Sequence, residues 1–185
     1  MRRFVLLDRD GTINEDIGYV LRPDELRLLP GALDALAELQ GLGLGLVVVT
    51  NQSPVGRGMI TAGELDAIHE RLRELLGHGG VTLDGIEVCP HRPDEGCACR
   101  KPGTLMVERA AAALGFDPRE GWIVGDHAGD MGLGRAVGAR TVLLRTGHGR
   151  EELEKAGGDA DVVVDDLAAA ADLIRAEVLA AEVEA

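Results

Sequence analysis

An α/β fold is expected, with a parallel sheet covered by helices on both faces. Two observations predict it. Short runs that are apolar at nearly every position, such as FVLL and LVVV, alternate with stretches whose apolar residues recur at helical spacing. Strands apolar on both faces belong to parallel sheets with helices above and below. The second observation is where those runs stop: at Asp8, at Thr50-Asn51 and at Asp126. In such sheets ligands bind beyond the carboxyl ends of the strands, so these residues carry the chemical interest. A length of 185 residues, 45% of them hydrophobic, suits one core, and one domain over 1–185 is expected.

The elements follow in order. Residues 3–7 form a buried strand ending at Asp8. Leu33, Leu36 and Ala37 mark a helical face after Pro30-Gly31, and 44–49 form the second strand. Thr61 with Glu64 three residues on is a capping box, and Leu65, Ile68, Leu72, Leu75 and Leu76 continue at helical spacing. On that helix His69 is expected at the surface. Residues 86–88 are a weak strand leading into a cysteine loop, 105–114 an Ala-rich helix, and 122–124 a strand ending at Gly125-Asp126. A short helix over 132–137 and strands over 141–144 and 162–164 come next. Leu167, Ala171, Ile174 and Val178 mark the closing helix. His78 is read as a helix-end residue; His148, after the late strand, could approach the mouth of the site, its bland reading being a loop residue.

The net charge is −13, from 32 acidic against 19 basic residues, which repels nucleic acid and anionic lipid. Aromatics at 2% leave no platform for base stacking. No run reaches the roughly 18 apolar residues of a membrane span. The apolar stretch before Asp8 is shorter than the about 7–15 residues of a signal peptide, so a cytoplasmic protein is expected. A monomer is expected, and neither nucleic acid nor a membrane is an expected partner.

In Asp8-Arg9-Asp10-Gly11-Thr12 two carboxylates two residues apart can face one pocket. At 4 Å and an effective dielectric of 20, like charges repel by about 4 kcal/mol. A divalent cation resolves that, and hard Mg2+ suits oxygen ligands. The bland alternative is a solvated acidic turn. A second cluster, Cys89, His91, Cys97 and Cys99, has the spacing C-x-H-x5-C-x-C. Three thiolates and an imidazole suit tetrahedral structural Zn2+, with no position left open for catalysis. The loop runs straight into Arg100-Lys101, so such a staple would hold two cations in place.

LLDRDGT resembles the first motif of the haloacid-dehalogenase-like phosphohydrolases. Thr50 after LVVV, Lys101 in CRKP, and Asp126 with Asp130 in VGDHAGD match the family's further motifs, in the family's order. The resemblance implies a Rossmann-like parallel sheet without a large cap domain, since the spans between motifs are already occupied. It implies that Asp8 is the nucleophile and forms an aspartyl-phosphate, and that Asp10 is the general acid and base. Asp8, the backbone carbonyl of Asp10, and Asp126 would bind Mg2+. Asp130 would orient its shell, its bland reading being a charge favoured at a helix N-terminus. Thr50 and Lys101 would hold the phosphate.

The runs DRDGTINEDIGYV, VVVTNQSPVGRG, LDGIEVCPH and CRKP are most similar to the zinc-loop branch that acts on heptose bisphosphates. That similarity implies substrate contacts from Asp16, Gly18, Tyr19, Asn51, Gln52, Ser53 and Arg100. Arg57 and His127 are further cations for a second phosphate. Three features depart from that pattern: Ile17 in place of a common His, His127 in place of a common Lys, and a short loop between His91 and Cys97. The short loop is closer to histidinol-phosphate phosphatases, which form one alternative. A zinc-stapled binding module without catalysis is the other. The loops over 14–22, 53–59 and 89–100 are expected to wall an open site.

Overall fold

Four residues buried at every position make β1 (Phe4–Leu7) a central strand, because only cover on both faces hides both rows of side chains. The computed structural model describes residues 1–156 and 158–183. β1 pairs in parallel with β2 (Gly45–Asn51) on one side and β4 (Trp122–Gly125) on the other. β3 (Gly85–Cys89) extends the first side, and β5 (Arg140–Leu144) and β6 (Val162–Val164) the second. The order is β3-β2-β1-β4-β5-β6, all parallel.

The chain winds outward from β1 to β3, then returns to lay β4 against β1. The two halves therefore diverge between β1 and β4, the switch point where parallel sheets leave a crevice. Register puts Leu7 level with both Val48 and Val124. Asp8 follows Leu7 directly, and Thr50 and Asp126 lie two residues past its partners. All three strand ends open at the same edge.

Alternate strand residues supply two cores, as period-2 side chains on a doubly covered sheet require. Val5, Leu7, Leu46, Val48 and Val124 pack with α1 (Ala32–Gly41), α3 (Ala62–Gly77) and α7 (Leu167–Val183). Leu6, Val47, Val49 and Ile123 pack with α4 (Leu105–Leu114) and α5 (Ala128–Val137). Met131, Leu143 and Ala156 join α5 to α6 (Gly149–Ala156). The Thr61 hydroxyl accepts from the Glu64 N–H at 3.2 Å, so the expected capping box starts α3.

Three features differ from the sequence reading. α5 begins at Ala128, ahead of 132, because Asp130 accepts from the His127 N–H at 3.1 Å and caps the helix. Glycine and aspartate in its first turn show no apolar period. The polar α6 and the short α2 (Ser53–Gly56) likewise lack a periodic apolar signal. His69 is not a surface residue: it is 4% exposed. It follows Ile68 and precedes Leu72 by three positions, at the border of the apolar stripe. That border turns toward the crevice, where a buried arginine meets it. Among the described residues, no inserted domain follows β1 or β2 and no helix is long and apolar enough to cross a membrane.

Candidate active site

Asp8 leaves β1 with its N–H bonded to the Val124 carbonyl at 3.0 Å, which fixes it against β4. Its Oδ1 accepts from the Arg9 N–H at 2.7 Å and from Lys101 Nζ at 2.8 Å. Burial pushes its carboxyl up to about 7 against the pull of Lys101, with the Asp130 charge adding to the rise. Asp126, at the end of β4, is pushed up to about 8 by burial and by the charges of Asp8 and Asp130. Oxygens of Asp8, Asp126 and Asp130 lie within 4.8 Å of one another. Gly11 and Gly147 crowd Asp126. Both have positive φ, and a Cβ on either would collide with its carboxylate.

Lys101 is the counter-charge. Its Nζ bonds Asp130 Oδ1 at 2.6 Å, Asp8 Oδ1 at 2.8 Å and the Val49 carbonyl at 2.8 Å. Burial opposes its charge, but Asp130 and Asp8 outweigh burial and hold the ammonium above the ordinary lysine range. The Asn51 side-chain oxygen accepts from the Lys101 N–H at 3.1 Å and ties the basic residue to the end of β2. One ammonium faces three carboxylates, so the centre is short of positive charge. That deficit, with oxygen donors alone, fits a hard divalent cation.

Asp10 sits in the opposite environment. Both of its oxygens accept from Arg9 Nη2 at 2.9 Å, Oδ1 accepts from Asn14 Nδ2 at 2.9 Å, and Oδ2 accepts from Gln52 Nε2 at 2.8 Å. Burial would raise its carboxyl, but the Arg9 charge and these bonds hold it below the usual carboxylate range. Gln52 also donates to Thr50 Oγ1 at 2.9 Å, which links the ends of β1 and β2.

The cysteine cluster closes next to this centre. Cys89 ends β3 level with Asn51. Sulfur separations are 3.6 Å for Cys89–Cys97 and 3.5 Å for Cys97–Cys99, and His91 Nδ1 lies 3.7 Å from Cys89 and 3.1 Å from Cys99. A tetrahedral ion with bonds of about 2.3 Å places sulfurs about 3.8 Å apart, so the four donors are spaced as a metal ion would need them. Burial pushes the Cys89 thiol up to about 12. For Cys97 burial acts in the same sense, but the Arg100 N–H and the neighbouring thiols bring it down to about 7.

The cleft above is lined by Asp8, Asp10, Thr50, Lys101, Asp126 and Asp130 at its floor. Asp16, Gly18, Tyr19, Asn51, Gln52, Arg100 and His127, the candidates for substrate contact, also line it. Ser53 is buried in α2 and Arg57 is exposed, and neither is among the lining residues. The 53–59 loop thus contributes no wall. His148 does: its N–H donates to Asp126 Oδ2 at 2.8 Å and its Nε2 lies 3.0 Å from Asp16 Oδ2. From the sequence His148 is open to either a loop or a place at the mouth of the site, and it takes the second; Arg9 and Asn14 have no role assigned from the sequence. Arg9 could have been suspected, because an arginine between two acids within one motif has its partner at hand.

A model for HAD-hydrolase-like proteins matches residues 98–170. The chain is 42% identical over 170 residues to D-glycero-beta-D-manno-heptose-1,7-bisphosphate 7-phosphatase of Pseudomonas putida, across 91% of this chain and 97% of the relative. It is 41% identical to the protein of the same name from Pseudomonas aeruginosa, across 92% and 96%. The crystal structure of D,D-heptose 1,7-bisphosphate phosphatase from Bordetella bronchiseptica, complexed with magnesium and phosphate, superposes with a TM-score of 0.88. The identity is 38%, and the match covers 95% of this chain and 99% of that one.

Proposed function

The chain belongs to the HAD-like hydrolases, in the family of the heptose-bisphosphate phosphatases, and from that premise we propose that it is a Mg2+-dependent phosphatase removing the 7-phosphate of D-glycero-D-manno-heptose 1,7-bisphosphate. The observation that carries the chemistry is the convergence of Asp8, Asp126, Asp130 and Lys101 at the switch point of the sheet. Asp8, the Asp10 carbonyl and Asp126 would hold Mg2+, with Asp130 orienting the shell. When bound, the cation offsets the charge between a carboxylate nucleophile and a dianionic phosphate.

Asp8 Oδ1 is occupied by Lys101 and the Arg9 N–H, and Oδ2 makes no hydrogen bond among the described residues. Asp8 attacks phosphorus, the P–O bond to the sugar breaks, and Asp10 gives a proton to the departing oxygen. Asp10 then takes a proton from the water that cleaves the aspartyl-phosphate, and inorganic phosphate leaves. The resting preference of Asp10 for the ionised form suits this second half. For the first half it must be loaded with a proton against Arg9. Lys101 and Thr50 hold the transferred phosphoryl oxygens.

Cys89, His91, Cys97 and Cys99 would hold a structural Zn2+ that fixes Arg100 and Lys101. Thiolates kept for a metal agree with a reducing, cytoplasmic setting. The distant phosphate needs cations away from the centre. Arg100 lines the cleft and can offer charge-assisted bonds of roughly 1.5–3 kcal/mol each, and His127, whose Nδ1 accepts from the Gly129 N–H, can add its Nε2–H as a donor. Histidinol phosphate brings an amine that Arg100 repels. Steady-state phosphate release at equal Mg2+ and pH should therefore give a kcat/KM about tenfold or more higher for the heptose bisphosphate than for histidinol phosphate. Arg100→Ala should narrow the gap and Lys101→Ala should lower both. Equal or reversed preference refutes the substrate while leaving the phosphatase chemistry standing.

A further inference from the structure

Arg9 is 0% exposed, the largest fully buried side chain among the described residues. Its guanidinium is shared among three partners. Nε and Nη2 grip Asp10, Nη2 also donates to Gln52 Oε1 at 3.2 Å, and Nη1 lies 3.2 Å from His69 Nε2. A buried guanidinium must find acceptors for its donors, since an unsatisfied one costs about 1–3 kcal/mol or more. On the side facing α3, among the described residues, His69 is that acceptor. The ring can accept only while neutral, with its proton on Nδ1. Burial first, then the charges of Arg9 and Arg73, bring its pKa down to about 4, against the opposing effect of Asp10.

The contact has a consequence for catalysis because Arg9 grips Asp10 with a two-toothed fork. A planar fork that is fixed at its far nitrogen cannot pivot about the carboxylate. We propose that His69, on a helix outside the cleft, is a positioning residue for proton transfer: by anchoring Arg9 Nη1 it sets the direction in which Arg9 aims the Asp10 carboxyl at the leaving oxygen. The inference rests on the phosphatase reading above and adds to it a residue that touches neither substrate nor reacting atoms.

The test compares two substrates with His69→Leu, which removes the acceptor, and His69→Gln, which keeps one. A sugar phosphate has a poor alkoxide leaving group that needs the proton from Asp10. An aryl phosphate such as p-nitrophenyl phosphate has a good one that does not. In His69→Leu, kcat/KM for the sugar phosphate should fall by about tenfold or more, and that for the aryl phosphate by less than about threefold. His69→Gln should restore the sugar phosphate to within about threefold of the parent. If His69→Leu does not fold, His69→Met fills the space with an apolar chain and takes its place. Equal losses on both substrates mean a merely structural role and overturn the proposal. So do an unchanged or raised rate on the sugar phosphate, or a selective loss that Gln does not repair. No hydrolysis of either substrate by the parent protein would instead overturn the phosphatase reading itself.

Discussion

Asp8 and Asp10 stand two residues apart and experience opposite fields. Asp8 shares one ammonium with Asp130 and sits high in pKa, whereas Asp10 is gripped by the buried Arg9 guanidinium and sits low. Their removal should therefore differ in kind. Asp8→Asn should abolish turnover with the fold retained, since an amide cannot form the acyl phosphate. Asp10→Asn should cut kcat by about 10²–10⁴-fold, through lost proton transfer. Parent-like kcat in folded Asp8→Asn, measured by phosphate release, would exclude the mechanism. His69 makes a separate prediction about stability. Its folded pKa, about 4, lies below the ordinary value of 6.5, so the folded state binds its proton less readily than the unfolded chain. The contribution is present above pH 6.5 and is lost as pH falls through about 4. The full effect is of order 3 kcal/mol. His69→Gln should flatten that part of the curve, so melting temperatures of parent and variant should converge or cross as pH drops from 7 to 4.5. Parallel curves would contradict a neutral, buried His69.

At the scale of elements, the 89–100 loop joins the edge strand β3 to the basic pair. The cysteine and histidine donors take up the distances of a tetrahedral shell next to Asn51, which binds the Lys101 N–H. Without an ion, partly buried thiols and a histidine would be left to satisfy one another. Cys97→Ser or Cys99→Ser should release the metal, lower phosphate release by about tenfold through misplaced Arg100 and Lys101, and leave Mg2+ binding in place. Elemental analysis should find about one zinc per chain in the parent and less in the variants. A zinc-free variant with full activity would show that the loop needs no staple.

At the scale of the whole molecule, a chain of net charge −13 is asked to bind an anion in a cleft lined by five aspartates. Mg2+ should therefore matter for stability as well as rate. In the metal-free protein, Asp8 and Asp126 titrate near 7 and 8, above the ordinary 3.8. The stability they contribute is present below about pH 3.8 and is lost as pH rises through 7–8. Mg2+ competes with those protons, so its stabilisation should grow over the same interval. Saturation at a hundred times Kd adds about 2.7 kcal/mol. Thermal melts with Mg2+ and with EDTA should thus differ more at pH 8.5 than at pH 6, and EDTA should abolish phosphate release. A pH-independent difference would argue that Asp8 and Asp126 are not the ligands.

The amino-acid sequence by itself determined the strand ends, the four motifs and the cluster of cysteines with a histidine. These are local signals: apolar runs, helical spacing, a capping box, and clustered donors within one loop. The bounds of α4 and β6 are those that apolar spacing predicts. Only the tertiary structure decided which residues share a field. His69 and Arg9 are 60 positions apart, and nothing near either one shows that they meet. The motif sets Asp130 near the centre, but that it pairs with Lys101, from the loop before α4, at 2.6 Å is decided only by the fold. His148 stays open between loop and site until the end of β5 is laid beside β4 and its N–H reaches Asp126. Burial and electrostatic pairing depend on the summed positions of distant segments, and periodicity carries no record of them until the sheet is assembled.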